Sequence, residues 1–254
     1  MPVLTQEFGG RTALITGAAS GIGAACARWL DARGVAELVL VDLDEPGLAA
    51  LELRCKVRRI TGDVADEALW LKLETTIARL DHAVINAGIV AAAPIADSDF
   101  GDWRRAMAVN LDGAFLGLRM ALRLMPAGGS IVLTSSAAGM KAVAGTGAYG
   151  VSKAAVAHLA RVAAAENAGK GIRVNAIAPG RVETPIWTKT PQFEALVAKH
   201  GSRDAAMAAL REESAGYRDF TSADVIAGQI GFLLSDAAAN VLGTVLVSDA
   251  GYTL

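Results

Sequence analysis

Thr12-Ala-Leu-Ile-Thr16-Gly17-Ala-Ala-Ser-Gly21-Ile-Gly23 runs directly into a helical stretch, Ala24 to Arg33. An apolar strand, a glycine turn and a helix in that order are the parts of a phosphate-binding unit. Glycines let the backbone turn tightly and approach a pyrophosphate, while the free N–H groups and positive dipole end of the helix face the anion. Gly17, Gly21 and Gly23, with Ser20 and Ile22 among them, form the candidate cradle. Their G-x-x-x-G-x-G spacing is not the usual dinucleotide fingerprint G-x-G-x-x-G, so the loop alone does not name its ligand.

Outward from this unit, short apolar runs recur. Strands are predicted at residues 12–16, 37–42, 57–62, 82–86, 130–135, 172–177 and 243–248, with helices between them. Runs such as Leu38-Val-Leu-Val41 and Ile131-Val-Leu133 do not alternate with polar residues, which implies burial on both faces and a parallel sheet. Right-handed crossovers then give an α/β fold: a single doubly wound, Rossmann-type domain over residues 1–254, its seven-stranded parallel sheet carrying helices on both faces. No repeat, low-complexity tract or interdomain linker interrupts it. A helix is expected to start at a capping box, Thr221-Ser-Ala-Asp224, and to run to about Leu234.

Gly17, Asp42, Asp63, Gly88, Ser136 and Pro179 all follow the carboxyl ends of predicted strands, the edge where open α/β sheets bind ligands. Asp42, with Leu43 behind it, stands nineteen residues after Gly23. An acid there can accept hydrogen bonds from the adenosine ribose hydroxyls and repel a 2′-phosphate. With Ala18 and Ala19 where a basic residue would favour that phosphate, this points to NAD(H) over NADP(H). The competing reading of Asp42 is a loop-initiating or helix-capping acid.

Tyr149 and Lys153 are four residues apart on a predicted helix and so share a face, with Ser136 thirteen residues upstream behind an apolar run. A free phenol titrates near pH 10, and a cation at about 4 Å with an effective dielectric of roughly 20 is worth around 4 kcal/mol, about three pKa units. Tyr149 is therefore expected to be acidified by Lys153 and to exchange protons near neutrality. The neutral Ser136 hydroxyl suits donation to a developing alkoxide. The bland readings are a tyrosine and lysine that fall at helical spacing by accident, and a serine satisfying backbone after a strand.

Seven segments in register complete the pattern: Thr16-Gly17-x-x-x-Gly21-Ile22-Gly23, Asp63-Val64, Asn86-Ala87-Gly88, Asn110, Ser136, Tyr149 with Lys153, and Pro179-Gly180-x-Val182-x-Thr184. Over nearly its whole length the chain resembles the short-chain dehydrogenases/reductases. The resemblance implies an oxidoreductase that moves a hydride between NAD(H) and a secondary alcohol or ketone, with Ser136, Tyr149, Lys153 and Asn110 as the catalytic set. It also implies an adenine contact at Asp63 and Val64, a mid-sheet segment at Asn86, Ala87 and Gly88, and a nicotinamide segment at Pro179, Gly180, Val182 and Thr184. Tyr149 and Lys153 would touch the cofactor as well, and Asn110 would link Lys153 to solvent through a water. A homotetramer is implied too, and the predicted helices around 100–124 and 149–168 are apolar on more than one face. Two departures stand out: Ile85 replaces the first Asn of N-N-A-G, and Ser248-Asp249-Ala250-Gly251 replaces the more usual V-D-G-G.

Composition excludes other classes. Hydrophobic residues make up 53% of the 254, yet no apolar run approaches the eighteen that a membrane span needs. Met1 to Phe8 lacks a basic region followed by an apolar stretch, so a cytoplasmic protein with no membrane partner is expected. A net charge of −2 without a basic patch argues against nucleic acid. Cys26 and Cys55, each read as lying in or at the end of a helix, and the scattered His82, His158 and His200 suggest neither disulfide nor metal.

Residues 185–220 carry no signature and read as a substrate-loop insertion, with one or two mobile helices over 188–216 closing over the ligand. Candidate wall residues are 91–94, 138–140, Val143, Trp187, Phe193, Met207 and Tyr217, which hint at an apolar or cyclic alcohol as the small-molecule substrate. Three alternatives stay open: an NADP-using carbonyl reductase, a methyltransferase, and a non-catalytic dinucleotide-binding protein. The methyltransferase leaves Ser136, Tyr149 and Lys153 without a reason, and a scaffold would be expected to have lost one of them.

Overall fold

A computed structural model describes residues 7–188, 191–212 and 220–254. Its strands are β1 (Thr12–Thr16), β2 (Glu37–Asp42), β3 (Lys56–Thr61), β4 (His82–Ile85), β5 (Ser130–Thr134), β6 (Arg173–Pro179), β7 (Val182–Glu183), β8 (Thr221–Ser222) and β9 (Val245–Ser248). Seven of them form one parallel sheet in the order β3-β2-β1-β4-β5-β6-β9, while β7 and β8 pair separately. The seven are the seven read from sequence; the sixth runs on to Pro179 and the last begins at Val245.

The helices are α1 (Gly21–Asp31), α2 (Glu45–Ala49), α3 (Glu67–Thr76), α4 (Phe100–Met107), α5 (Gly113–Leu124), α6 (Gly147–Asn167), α7 (Pro185–Thr188), α8 (Pro191–His200), α9 (Arg203–Glu212) and α10 (Ala223–Leu234). The pleat sends alternate strand residues to opposite faces. Leu14, Val39, Val41, Ile131 and Leu133 meet Trp70 of α3, Met120 of α5 and Val156 of α6 in one core. Ala13, Ile15, Leu38, Leu40 and Val132 meet α1, α2 and α10 in the other. Continuous apolar runs are therefore needed in the inner strands, where neither face sees water, while the edge strand β3 is partly exposed. No helix among the described residues is long and apolar enough to cross a membrane.

Local chemistry adjusts three expectations. The cap of α10 is Ser222, whose side chain accepts from the Val225 N–H at 3.3 Å, rather than Thr221, which β8 holds extended. Cys55 lies not at a helix end but in the turn before β3, where its N–H donates to Asp31. The helix expected over 100–124 contains a π turn, Ala108–Asp112, with buried Asn110 at its centre. Such wide turns concentrate at functional sites.

Candidate active site

The carboxyl ends of β1, β4, β5 and β6 converge on one crevice. After β1 the chain enters the glycine turn at Gly17, with φ +64°, and Gly21, with φ +51°. At Gly23 a Cβ would lie 2.0 Å from the Gly17 carbonyl oxygen, so only glycine lets α1 start this close to the turn. Ser20, the N-cap, makes no side-chain cap bond, and the first turn of α1 holds no acid, so its leading N–H groups remain for an anion. Thr184 reaches back over this turn: a Cβ on Gly21 would meet its methyl at 3.0 Å. The Pro179–Thr184 segment thus stands beside the cradle, with Gly180 N–H donating to the Ser248 carbonyl at 2.9 Å and Val182 buried.

Asp42 ends β2, and its two carboxylate oxygens accept from the backbone N–H groups of Ala19 (2.9 Å) and Asp44 (3.0 Å). The loop-organising role considered for it is therefore present, and each oxygen keeps a further lone pair. Leu43 beside it is 66% exposed. Asp63 accepts the Ala65 N–H at 2.9 Å, and Val64 is buried with its carbonyl taking the Trp70 indole N–H at 2.7 Å. Asn86 donates through its side chain to the Thr16 and Gly17 carbonyls at 3.2 and 3.3 Å, tying β4 to the glycine turn. Ile85 is buried in the core below, against Gly117 of α5.

Beyond β5 come Ser136 and then α6, which carries Tyr149 and Lys153. Ser136 lies close enough to the Tyr149 phenol to lower its pKa, and the Lys153 Nζ lies 5.9 Å from the Tyr149 ring centroid. Lys153 is buried and donates to the Thr134 carbonyl at 2.9 Å, while a Cβ on Gly88 would come within 3.0 Å of its Nζ and 3.2 Å of Asn110 Oδ1. Asn110 is neither an N-cap nor a turn amide: it accepts from Ile89 N–H at 2.8 Å and donates to Ile89 O at 2.9 Å and Ser152 Oγ at 3.0 Å. Ser152 donates to the Tyr149 carbonyl and Ser135 to that of Lys153, which pins the start of α6.

The electrostatics correct one expectation. Burial pushes the Tyr149 phenol up from its ordinary value, with Ser136 pulling the other way. Lys153 does not acidify it here, because burial instead brings that ammonium down to about 8 and its bond is to a backbone carbonyl.

The substrate side is less regular. Helices α8 and α9 fill the region read as one or two helices, and a cavity of about 480 Å³ opens beside α9, lined by Thr184, Trp187, Met207 and Phe220 together with the charged Glu183, Asp204 and Arg211. Trp187 and Met207 were expected there; Phe193 is buried instead, and Tyr217 lies outside the described residues. Ala93 bridges to Thr146 beside the start of α6. Sequence reading missed Lys141, next to the proposed wall residue Met140, and the buried Thr134 hydroxyl, which has no partner among the described residues.

A family model described as enoyl-(acyl carrier protein) reductase matches residues 17–253. Cis-4-hydroxycyclohexanecarboxylate dehydrogenase of Sinomonas cyclohexanicum is 39% identical, with 98% of each chain covered. The chain belongs to the short-chain dehydrogenase/reductase family. Among solved structures, levodione reductase superposes with a TM-score of 0.85 at 33% identity, covering 97% of this chain and 98% of that one. A short-chain dehydrogenase from Burkholderia cenocepacia in complex with NADP gives 0.79 at 26% identity, covering 96% and 98%. Membership makes the chain an oxidoreductase of nicotinamide dinucleotides and sets the methyltransferase reading aside.

Proposed function

We propose that this chain, one dinucleotide-binding and catalytic unit with residues 185–220 as its substrate loop, interconverts a secondary alcohol and its ketone with NAD(H) in the cytoplasm. The observation that carries this reading is the convergence of Ser136, Tyr149 and Lys153 beside the glycine cradle. That cradle fits a dinucleotide: Gly17, Gly21 and Gly23 let the turn close tightly against Ala87, Thr184 and the Gly17 carbonyl, and the first turn of α1 holds neither an acid nor a side-chain cap. Bound, the nicotinamide ring supplies the hydride or takes it.

The protein's own part is proton transfer and positioning. Tyr149 holds its proton at neutrality, because burial raises its pKa, so it is set to donate to a ketone oxygen while Ser136 steadies the same oxygen. In the opposite direction the phenol must lose that proton first. Oxidation should therefore climb on the alkaline side and reduction decline there. Lys153 holds the nicotinamide ribose with the donors that Thr134 does not use, and Asn110 braces α6 through Ser152. Asp63 and Val64 frame the adenine half, Asn86, Ala87 and Gly88 the middle of the cofactor site, and Pro179, Gly180, Val182 and Thr184 the nicotinamide half.

Asp42 supports NAD over NADP, since a 2′-phosphate would meet its carboxylate. The hydroxycyclohexane substrate named for the Sinomonas relative supports a ring alcohol here. Exposed Phe100, Phe115 and Val151 on α4 to α6, and Val225 and Phe232 on α10, give two separate apolar faces, which supports a homotetramer. Tyr149→Phe is the test. It should keep NADH binding, read by fluorescence, and lose about 10²- to 10⁴-fold in turnover of ring alcohols with NAD. Unchanged turnover rejects the proton-transfer role, and faster turnover with NADP, or of an open-chain polyol, rejects the coenzyme or the substrate class.

A further inference from the structure

We propose that Lys141 is the anion anchor of the substrate site, and that the ring alcohol carries a carboxylate. The inference deepens the alcohol–ketone reading above and rests on it.

Lys141 lies five residues beyond Ser136, on the same short loop. A single 3₁₀ turn, Ala137–Gly139, occupies that loop; Gly139 N–H bonds back to the Ser136 carbonyl and Lys141 N–H to the Ala137 carbonyl, each at 2.9 Å. The backbone at Lys141 is therefore fixed relative to Ser136. Its side chain crosses the open end of the sheet. Nζ donates to the Tyr252 carbonyl at 2.9 Å and sits 5.2 Å from the Tyr252 ring centroid, on the tail that follows β9. Between the loop and the tail lies the exit of β6, where Gly180 is bonded to Ser248. Lys141 thus links the loop that follows Ser136 to the tail that follows β9, across the exit of β6.

Its charge is left uncompensated. Lys141 is half-buried, and no carboxylate pairs with it among the described residues. The side-chain acid of the tail, Asp249, is occupied by the N–H groups of Gly251 and Thr253. Three nearby arginines are committed elsewhere: Arg211 to Glu183, Arg203 to Glu194, and Arg181 to the Leu210 carbonyl. A carbonyl takes one of three ammonium donors, so two remain, and the neighbouring loop residues Met140 and Val143 are apolar. A lone ammonium, with neither an arginine fork nor a row of backbone N–H groups beside it, suits a single carboxylate better than a phosphate. An alcohol held at Ser136 and Tyr149 and an anion held at Lys141 would fix the substrate at two points, which sets its orientation as well as its affinity.

The test uses the full-length protein with 4-hydroxycyclohexanecarboxylate and neutral 4-methylcyclohexanol as substrates. Lys141→Met should cut the ratio of kcat/KM for the acid to that for the alcohol by about 10- to 100-fold, chiefly through the KM of the acid, and Lys141→Arg should restore most of it. An equal fall on both substrates would assign Lys141 to strapping the tail and overturn the proposal, as would no fall at all. Calorimetric binding of cyclohexanecarboxylate with NADH present separates the two readings. Carboxylate binding that Lys141→Met abolishes, in a protein that oxidises neither alcohol, would keep the anchor and sink the dehydrogenase assignment. Wild-type protein that binds no carboxylate would sink the anchor.

Discussion

The two ends of the central sheet differ in how completely their polar groups are paired. At the amino ends of its strands, Asp81 accepts the Thr12 N–H at 2.9 Å and faces Arg79 at 2.9 Å and Arg11 at 3.5 Å. His82 is bonded to Ser130 at 2.8 Å, Ser130 to the Leu234 carbonyl at 2.7 Å, and Arg173 to the carbonyls of Leu233, Leu234 and Ser235. At the carboxyl ends the Thr134 hydroxyl is buried without a partner among the described residues, Ser20 caps nothing, and Lys153 and Lys141 each spend one donor on a carbonyl. Burying polar groups short of partners lowers stability, so Thr134, Lys153 and Lys141 mark where a ligand is to complete them; the other unpartnered buried side-chain atom among the described residues, Gln229 Oε1, is on α10. The closed end supports the fold and the open end carries the chemistry. Substitutions should then separate the same way.

Gly23→Ala should do the most damage. Its Cβ would lie 2.0 Å from a backbone oxygen, which no side-chain rotation can relieve. We expect a loss of about 3 kcal/mol or more in stability, together with loss of NADH binding in a fluorescence titration. Retained binding would mean that the cradle has been placed at the wrong turn.

Lys153→Met sharpens the contrast, because activity and stability should move in opposite directions. Burial lowers this ammonium from 10.5 to about 8. At neutral pH the folded protein therefore holds a cation that the unfolded chain would hold better, by about 3 kcal/mol; this penalty is full below pH 8 and gone above the unfolded value. Removing the charge should lower kcat/KM by about 10²- to 10³-fold while raising the thermal midpoint. A fall in both would place Lys153 with the fully paired groups of the other end.

His82→Asn probes the closed end. Burial pushes the imidazole down to about 4 from 6.5. As pH falls between those values the unfolded chain takes up a proton that the folded chain refuses, so stability is lost with acid and regained as pH rises. By pH 5 the loss attributable to His82 is about 2 kcal/mol. The variant should lose less stability than wild type between pH 7 and 5 in denaturant unfolding, with kcat unchanged. A changed kcat would break the separation of the two ends.

How much of this was legible in the sequence follows the same division. The inner strands could be read because burial on both faces demands uninterrupted apolar runs, which the partly exposed edge strand β3, Lys56-Val-Arg-Arg-Ile-Thr61, does not show, and the cradle because glycine alone fits its backbone. Ser136, Tyr149 and Lys153 were legible through helical spacing. The charge state of Tyr149 was not, since it depends on how deeply the phenol sits and where Lys153 points, and these are tertiary facts. Asp42 carries both of its readings at once. Lys141 was passed over because a lysine on a loop looks like any solvated cation until the fold shows its half-burial and its missing acid.

The smallest expected effect concerns the tail that Lys141 grips. Ala250, where the family's usual V-D-G-G has glycine, holds φ +54°, and no other non-glycine among the described residues has a positive φ. A left-handed backbone costs an L-residue about 1–2 kcal/mol. Asp249 offsets this by accepting the N–H groups of Gly251 at 2.9 Å and Thr253 at 2.8 Å, which closes the turn around Ala250. Ala250→Gly removes the strain but frees the unfolded chain by about 0.4–1 kcal/mol, leaving a net gain of at most about 1 kcal/mol, or roughly 2–4 °C in Tm. A loss of stability would mean that the Ala250 methyl packs against something worth more than its strain. The open end would then be held by side-chain contacts, as the closed end is.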